Sequence, residues 1–395
     1  MAPLRVHPDN PRYFSDAGRA IYLTGSHHWD VLLDNGERPG GFDFEGYLDR
    51  LASWGHNFIR LWTHEAWTHE VNPTIYLRTG PRFDLSRFNP EYFERLRARV
   101  VRARERGFYV AVMLFNGWSI HDNGEGNPWP RHPFNRTNNV NGIDGADVHT
   151  LRVPAITRLQ ETYVRKVVET VGDLDVLWEI SNESPGESRD WQYHLIRYLK
   201  TLSPHPVGMT SCFPRGRNED LLRSPADWIS PNHRGGYKRS PPLADGSKVV
   251  LLDTDHLWGI GGDRAWVWKS FLAGHHPIYM DPLDDDPERE DARRAMGQTR
   301  HLAERLDLAR MVPSPDLCSS GHCLAGEGGM VVYLPRGRGK IDLSAYHREG
   351  EAEWLDPGSG AIIPAGRAAR RVRAPFRGDA VLYLRASPTL RAISS

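Results

Sequence analysis

The sequence predicts a (β/α)8 barrel followed by a small antiparallel β-sandwich. Over the first three quarters of the chain, eight short apolar segments alternate with amphipathic segments. The apolar segments lack a polar alternation, as strands buried on both faces do. No Gly-x-Gly-x-x-Gly follows the first strand, which disfavours an open dinucleotide-binding sheet. Alternating strands and helices imply parallel strands with right-handed crossovers, and eight such units fit a closed barrel.

The predicted elements follow one another in regular order. A helix is expected after Asp43 and up to Gly55, and another begins at Pro90 after Asn89, because these residues suit helix ends. The candidate strands are residues 20–24, 57–62, 109–115, 176–181, 207–210, 228–230, 248–253 and 278–280, and the candidate helices are 44–54, 90–106, 151–171, 188–202, 263–272 and 288–310.

Two regions depart from this alternation. Residues 119–150 are rich in Asn, Gly, Pro and His and follow the third strand, so we expect this insertion to lie over the C-terminal mouth of the barrel. Later segments read as short strands separated by Gly, Pro and Asp. These segments are residues 329–334, 340–343, 351–355, 361–364 and 380–385. The predicted domains are therefore 1–312 for the barrel and 313–395 for the β-sandwich.

Charge and composition exclude several classes of function. The chain has 395 residues, with 50 basic and 50 acidic side chains. This balance offers no positive field for nucleic acid. No stretch approaches the roughly 18 apolar residues of a membrane span, and the first residues lack the apolar core of a signal peptide. We expect no nucleic-acid or membrane partner and a cytoplasmic protein, with a processed secreted form as the alternative.

Polar and aromatic side chains collect at the carboxyl ends of the predicted strands. In a (β/α)8 barrel these ends meet at one face and carry the reactive residues. The chain has 13 tryptophans. Indoles at strand ends or in the insertion, such as Trp129, could stack on sugar rings. The other residues expected at this face are His27, His28, Trp29, Arg60, Glu65, Asn116, Trp118, Asn182, Glu183, His233, Asp253, Asp255, Trp258 and Asp281.

Two carboxyl groups on opposite strands are the most informative pair. Glycoside hydrolysis uses one protonated carboxyl group and one ionised carboxylate on either side of the scissile bond. Glu183 follows the fourth strand, while Asp253 and Asp255 follow the seventh. These strands face each other across a barrel of eight. Strand alternation would put both aspartates on one face, with Asp255 nearer the mouth.

The fourth strand also resembles a known signature. The string Trp178-Glu179-Ile180-Ser181-Asn182-Glu183 is similar to that of clan A glycoside hydrolases, typified by the family 5 cellulases. The string from Asn57 to Arg60 resembles the second strand of the same clan. The resemblance extends to cellulase-like and apiosidase-like bacterial proteins that carry a C-terminal domain described as collagen-binding.

The resemblance implies a role for individual residues. Glu183 would be the acid/base, and Asn182 would bond the sugar hydroxyl beside the anomeric carbon. Arg60 would lie beneath the carboxylates and favour their ionised state. His233 would be a wall residue near the nucleophile. Glu179 is expected to be structural and held by Arg60 or by a backbone donor, because an unpaired buried charge is too costly.

Two positions depart from the clan pattern. The clan usually carries Glu as the nucleophile on the seventh strand, whereas this chain offers Asp255, or alternatively Asp253. Because Asp is shorter, both a retaining and an inverting mechanism stay open, at carboxyl separations of about 5–5.5 Å and 6.5–9.5 Å respectively. Asp281 stands where the clan commonly has a sugar-stacking Trp, a role that Trp258 or Trp118 could take instead.

The resulting prediction is a glycoside hydrolase with no cofactor and no metal. Its expected substrate is a neutral plant or microbial oligosaccharide or polysaccharide, attacked by a retaining mechanism at chain ends. Two alternatives remain. One is a carbohydrate-binding protein without catalysis, and the other is a metal-dependent hydrolase on the same barrel, favoured only by His233 and Asp281.

Overall fold

A parallel barrel of eight strands forms the body of the molecule. The computed structural model describes residues 4–34, 40–122, 124–327, 329–343, 351–367 and 369–385. A three-stranded antiparallel sheet precedes the barrel, and an antiparallel hairpin follows its second strand. The strands up to the end of the barrel are β1 (Arg5–Val6), β2 (Phe14–Asp16), β3 (Arg19–Ile21), β4 (Gly25–His27), β5 (Phe58–Leu61), β6 (Tyr76–Thr79), β7 (Arg82–Phe88), β8 (Tyr109–Asn116), β9 (Val176–Asn182), β10 (Val207–Thr210), β11 (Trp228–Ser230), β12 (Val249–Asp253) and β13 (His276–Met280).

The barrel is closed at its seam by Asn57, whose backbone amide donates to the Thr24 carbonyl (3.0 Å). Its strands are ordered β4-β13-β12-β11-β10-β9-β8-β5, and all neighbours in this series are parallel. Between β4 and β5, Asn57 accepts a hydrogen bond from the Thr24 amide (3.0 Å) and donates one to the Tyr22 carbonyl (2.8 Å). A Cβ atom on Gly25 would lie 2.1 Å from the Phe58 carbonyl oxygen, so the two strands approach closely only because this residue is glycine.

Helices surround the barrel, and the first two begin where the sequence indicated. Asp43 accepts from the Gly46 amide at the start of the first helix, and Gly55 ends that helix at φ 81°. Asn89 caps the second helix, with Pro90 at its first position. The helices are α1 (Phe44–Trp54), α2 (Pro90–Glu105), α3 (Pro154–Val171), α4 (Arg189–Leu202), α5 (Asn218–Leu222), α6 (Thr254–Leu257), α7 (Arg264–Leu272) and α8 (Pro287–Ala303).

Several elements differ from the sequence prediction. The predicted first strand at 20–24 is split, because β3 belongs to the N-terminal sheet and the barrel strand β4 begins only at Gly25. That sheet closes the barrel floor, where Phe14 packs against Phe58 and Leu177. The hairpin β6–β7 was not predicted, and the insertion pairs with it through Phe83 and Asn139. The last helix ends at Ala303 instead of at residue 310.

The C-terminal region is a six-stranded antiparallel sheet, ordered β14-β15-β16-β21-β18-β19, together with a two-stranded β17-β20 sheet. One face of the large sheet belongs to the barrel's hydrophobic core, and the opposite face packs with its own smaller cluster. The predicted boundary at 312/313 falls inside the first strand of this sheet. The strands of the two sheets are β14 (Met311–Pro313), β15 (Cys323–Gly326), β16 (Gly329–Leu334), β17 (Arg338–Lys340), β18 (Glu351–Leu355), β19 (Ile362–Arg367), β20 (Arg371–Arg373) and β21 (Ala380–Arg385).

Side-chain contacts join this sheet to the barrel helices. Trp268 of α7 stacks on Tyr333 of β16, with ring centroids 6.5 Å apart. Arg264 at the start of α7 bonds Asp379 (2.9 Å), which also accepts from the Tyr333 hydroxyl (3.0 Å). Through these contacts the sheet stabilises the barrel as part of one packed unit. Of the helices that the structure describes, none is long and apolar enough to cross a membrane.

Candidate active site

Arg60 on β5 lies at the centre of the barrel mouth and contacts side chains from three other elements. Its Nε and Nη2 atoms donate to the two carboxylate oxygens of Glu179 at 2.6 and 2.5 Å. Nη2 also donates to Asn182 Oδ1 at 2.7 Å. Nη1 reaches Asp253 Oδ2 at 3.3 Å and Asp255 Oδ2 at 3.2 Å. The predicted pairing of Glu179 with Arg60 is thus present, and the guanidinium fixes both carboxyl-bearing strands.

Asp253 is an anchor inside this network. It is fully buried, and its Oδ1 atom lies 2.9 Å from His27 Nε2. The Trp62 indole N–H donates to His27 Nδ1 at 2.9 Å, so Nε2 is the ring nitrogen that donates to Asp253. Burial would raise the pKa of Asp253, but His27 and Arg60 hold that pKa well below its usual value. Asp253 is therefore an ionised support beneath Asp255.

Asp255 reaches the site by a route that strand alternation did not predict. The seventh barrel strand, β12, ends at Asp253, and Asp255 lies in the one-turn helix α6. The Asp253 carboxylate accepts a hydrogen bond from the Asp255 amide at 2.9 Å and so caps that turn. The prediction that the two aspartates share one face of an extended strand is wrong, because this cap ends the strand. Both carboxylates nevertheless contact Arg60.

Glu183 stands at a strained backbone position directly after β9. Its φ is 44°, which is rare for a residue with a side chain and is found where function requires it. The Trp118 indole N–H donates to Glu183 Oε2 at 2.5 Å. The backbone of Gly117 is so close that a Cβ atom there would lie 2.2 Å from the Glu183 carbonyl oxygen. The end of β8 therefore sets the position of the Glu183 carboxyl group.

The two carboxyl groups have different electrostatic surroundings. Burial and the negative charge of Asp255 raise the pKa of Glu183 to about 8, although the Trp118 hydrogen bond opposes this. Burial and the charge of Asp253 raise the pKa of Asp255 to about 6, and Arg60 limits that rise. Near pH 7, Glu183 is mainly protonated while Asp255 is mainly ionised. One group can then give a proton while the other carries a negative charge.

Asn182 is oriented by two donors. Its Oδ1 atom accepts from Arg60 and from His256 Nε2 (3.1 Å), so its amide nitrogen is the donor, and one of its two hydrogens is directed to Asn116 Oδ1 (3.5 Å). His256 in turn lies 3.7 Å from Asp255 Oδ2 and 2.7 Å from Ser230 Oγ. Sequence analysis did not single out His256. The signal that could have identified His256 is its position one residue after Asp255, on the α6 turn, which was not predicted.

A second polar chain supports the other wall of the mouth. The Asn116 amide donates to His64 Nδ1 at 3.1 Å, and Glu65 Oε2 accepts from the Asn116 backbone at 3.0 Å. Trp67 stacks on Trp118, with ring centroids 6.4 Å apart. Asn116, Glu65 and Trp118 were predicted at this face. His64, which follows the second strand, is part of this wall and also bonds the Trp29 carbonyl through Nε2 (3.1 Å).

The remaining predicted residues lie around this centre with differing exposure. His28 is buried and stacks on the partly buried Trp29 at 4.0 Å between ring centroids. Trp258 is partly buried and packs edge-on against Trp266, while the Lys238 ammonium lies 5.2 Å from its ring. Trp29, Trp118 and Trp258 thus keep part of their rings accessible, so their role in stacking on sugars stays a prediction.

Two predicted residues do not join the cluster. The Asp281 carboxylate is fully buried and paired with Arg293 of α8 through two hydrogen bonds of 2.9 and 2.5 Å, so it is not available to a sugar. His233 is exposed in the loop after β11, and His256 contacts Asp255 instead. Both corrections weaken the metal-hydrolase alternative, which depended on these residues. Within the described ranges, no group of three or more His, Cys, Asp or Glu side chains is arranged to hold a metal ion.

Parts of the sequence resemble known proteins. The model of the apiosidase-like catalytic domain matches residues 8–143, a range that includes Arg60 and Trp118. The mannan endo-1,4-β-mannosidase F of Emericella nidulans is 25% identical over 270 residues, covering 62% of this chain and 58% of that protein. The chain therefore spans less than two thirds of that relative.

Solved structures share the fold across nearly the whole chain. One glycoside hydrolase superposes with a TM-score of 0.64 at 13% identity, over 98% of this chain and 97% of that one. A family 5 glycoside hydrolase from Bacteroides vulgatus gives 0.62 at 14% identity, over 97% and 93%. The comparisons confirm the predicted barrel with its C-terminal β-domain and the resemblance to clan A. They also support the prediction of a glycoside hydrolase.

Proposed function

We propose that the chain hydrolyses O-glycosidic bonds of a neutral oligosaccharide or polysaccharide, with Glu183 as acid/base and Asp255 as nucleophile. The observation that carries this proposal is the pair of buried carboxyl groups at the barrel mouth, with Glu183 held by the Trp118 indole (2.5 Å) and Asp255 by Arg60 (3.2 Å). This is the combination that two-carboxylate glycoside hydrolysis requires. Arg60 supports it, because the guanidinium contacts Asp255 and opposes the rise of its pKa.

The proposed reaction has two steps. In the first, Glu183 gives its proton to the glycosidic oxygen while an Asp255 oxygen bonds to the anomeric carbon, and the leaving sugar departs. In the second, the Glu183 carboxylate takes a proton from water, whose oxygen displaces Asp255 from the anomeric carbon. Asn182, held by Arg60 and His256, would donate to the neighbouring sugar hydroxyl. The product keeps the anomeric configuration of the substrate.

The substrate proposal combines the site's chemistry with the names of similar proteins. The relative from Emericella nidulans is named for mannan, and the matching domain model for apiose release. A balanced charge over the chain suits a neutral glycan. We propose a plant-type neutral saccharide, with β-1,4-mannan and apiosides as the first candidates and action at chain ends.

A substrate screen with two variants tests this function. Wild-type protein is assayed on aryl β-glycosides, apiosides, α-arabinofuranosides and polysaccharides including mannan, with products separated by chromatography. We expect Glu183→Gln and Asp255→Asn each to lower kcat by about 10²- to 10⁴-fold. Asp285→Asn is the matched control, since the Asp285 side chain is 99% exposed. NMR of the first product reports its anomeric configuration.

Three outcomes would count against the proposal. Full activity in either variant would overturn the assignment of that residue. Inversion of the anomeric configuration would overturn the retaining mechanism. Glycan binding without any product would favour the carbohydrate-binding alternative.

A further inference from the structure

A histidine of the insertion is buried beside the residue that follows the proposed acid/base. The His149 side chain is only 2% exposed, and its ring stacks on Trp191 of α4, with centroids 4.4 Å apart and an interplanar angle of 14°. The Trp191 indole N–H donates to Gln160 Oε1 (2.9 Å), and the Gln160 amide donates to the Val148 carbonyl (2.6 Å). Stacking and these hydrogen bonds therefore fix the His149 ring against α3 and α4.

The Nδ1 atom of His149 contacts Ser184, the residue after Glu183. Ser184 is fully buried, and its Oγ atom lies 2.9 Å from His149 Nδ1 and 2.5 Å from Ser181 Oγ. The Ser184 carbonyl accepts a hydrogen bond from the Phe213 amide at 3.0 Å. Both the hydroxyl and the carbonyl of Ser184 are thus held in place, which restricts the backbone on the C-terminal side of Glu183.

The other ring nitrogen of His149 faces a residue that supports the Glu183 carboxyl group. Nε2 lies 3.6 Å from Glu65 Oε1, and Glu65 Oε2 accepts from the Asn116 backbone amide at 3.0 Å. Asn116 ends β8, and two residues later the Trp118 indole bonds the Glu183 carboxyl group. His149 therefore lies between the residue that holds the Glu183 backbone and the residue that holds the end of β8.

A serine, a histidine and a carboxylate in series also make up a hydrolytic triad. Because the Glu65 carboxylate is an acceptor, the hydrogen on Nε2 points to it, and Nδ1 accepts from the Ser184 hydroxyl. A nucleophilic serine must reach its substrate. The Ser184 hydroxyl is fully buried and also contacts Ser181, so it does not meet this condition. The series fits a support for the neighbouring Glu183 instead.

We propose that His149 is a positioning residue for Glu183. The φ of 44° at Glu183 is a conformation that persists only where the surrounding structure holds it. Two contacts do so, because the Gly117 backbone lies against the Glu183 carbonyl group and His149 bonds the Ser184 hydroxyl. His149 thereby keeps the carboxyl group at the Trp118 indole. The inference rests on the proposed function, since it concerns the acid/base of that reaction.

Replacement of the imidazole by a ring without nitrogens tests this role. His149→Phe keeps an aromatic ring on Trp191 but removes both polar atoms. We expect kcat on an aryl glycoside to fall about 10- to 100-fold and KM to change less than about twofold, because a displaced acid affects the transition state more than substrate binding. His149→Asn, which keeps an acceptor near the position of Nδ1, should recover part of this loss.

The pH dependence distinguishes positioning from a general loss of structure. The fall of kcat/KM at alkaline pH follows the deprotonation of Glu183. In His149→Phe this fall should move to higher pH, because the Trp118 hydrogen bond that lowers the pKa of Glu183 is weakened. A kcat within about twofold of the wild-type value, or an alkaline fall at unchanged or lower pH, would overturn the proposal.

Two further variants complete the kinetic test. His121→Phe is the matched control, since it is the same substitution in the same insertion and neither His121 ring nitrogen has a hydrogen-bond partner among the described residues. Ser184→Ala removes only the hydroxyl that His149 holds, so it should give the same changes in kcat and pH dependence and serves as the test if His149→Phe does not fold. Melting temperature and near-ultraviolet circular dichroism identify the folded variants.

The positioning role and the proposed function fail separately. Full activity in Glu183→Gln would overturn the function whatever the effect of His149→Phe. An inactive Glu183→Gln together with an unimpaired His149→Phe would overturn the positioning role alone. In a protein without hydrolytic activity, ¹³C NMR titration of the Glu183 carboxyl group, assigned with Glu183→Gln, replaces the kinetics. A pKa that does not rise in His149→Phe would then overturn the role of His149.

Discussion

At the scale of single residues, the protonation states of Glu183 and Asp255 depend on their surroundings. The pKa of Asp255 is raised to about 6 and that of Glu183 to about 8. Activity requires an ionised Asp255 and a protonated Glu183, so kcat/KM should rise as the pH passes about 6 and fall as it passes about 8. A pH–rate profile on an aryl glycoside checks this. A flat profile from pH 5 to 9 would contradict the assignment of both groups.

The Trp118 indole provides a test of the alkaline limb of the pH–rate profile, where activity falls as Glu183 loses its proton. Its hydrogen bond lowers the pKa of Glu183, so Trp118→Phe should raise that pKa and move the alkaline limb to higher pH. The acid limb, which depends on Asp255, should stay in place. A shift of the acid limb alone would show that Trp118 acts on another group.

The sequence predicted which residues form the site better than it predicted how the backbone positions them. Glu183 and Arg60 were predicted because their strand motifs are specific. Asp255 was placed on a strand, whereas the Asp253 cap turns the chain into α6. Asp281 was predicted at the substrate because its partner Arg293 lies on α8 and approaches only in the folded barrel. Long-range pairings of this kind leave no local pattern.

At the scale of elements, the close contact between the end of β8 and Glu183 should be intolerant of added volume. A Cβ atom in Gly117→Ala would lie 2.2 Å from the Glu183 carbonyl oxygen, so the backbone must move and displace the acid. We expect a loss of about 10²-fold in kcat, since a shift of about 1 Å has such effects. Gly358→Ala is the control, because its nearest neighbours are side chains at 3.3 Å and beyond. Unchanged kcat in Gly117→Ala would contradict the role of this contact.

The barrel seam makes a prediction about stability. Asn57→Ala removes two buried hydrogen bonds to backbone groups of Thr24 and Tyr22. We expect the free energy of unfolding to fall by about 2–3 kcal/mol, as lost bonds leave buried groups unsatisfied. Urea unfolding measures this against Asn141→Ala, which removes a bond to the Leu85 amide from an exposed side chain. Equal stabilities of the two variants would show that the seam is held by other contacts.

The elements themselves were predictable where local signals mark their ends. The caps at Asp43 and Asn89 gave helix starts that match the structure. The β6–β7 hairpin was missed because the Thr79–Arg82 turn follows a short strand with polar residues in both arms. Its pairing with the insertion near Asn139 depends on contacts between distant segments.

At the scale of the whole molecule, the barrel and the C-terminal sheet share one hydrophobic core. Removing the chain after residue 310 would expose the α7 surface that packs on Tyr333 and Val381. We expect the truncated barrel to be insoluble or to aggregate, because large apolar patches drive association. Soluble yield and size-exclusion chromatography measure this, with Ile362→Ala as a full-length control. A monomeric barrel that unfolds at the wild-type Tm would contradict a stabilising role for the sheet.

The stacked pair Trp268 and Tyr333 has a consequence for how such proteins diverge and how they can be engineered. The two rings pack against each other where the barrel meets the C-terminal sheet. A change in the size of one ring must therefore be matched by a change in the other. We therefore expect that the β-domain cannot be exchanged between related proteins as an independent unit. A chimera will need its α7 and β16 surfaces taken from the same parent.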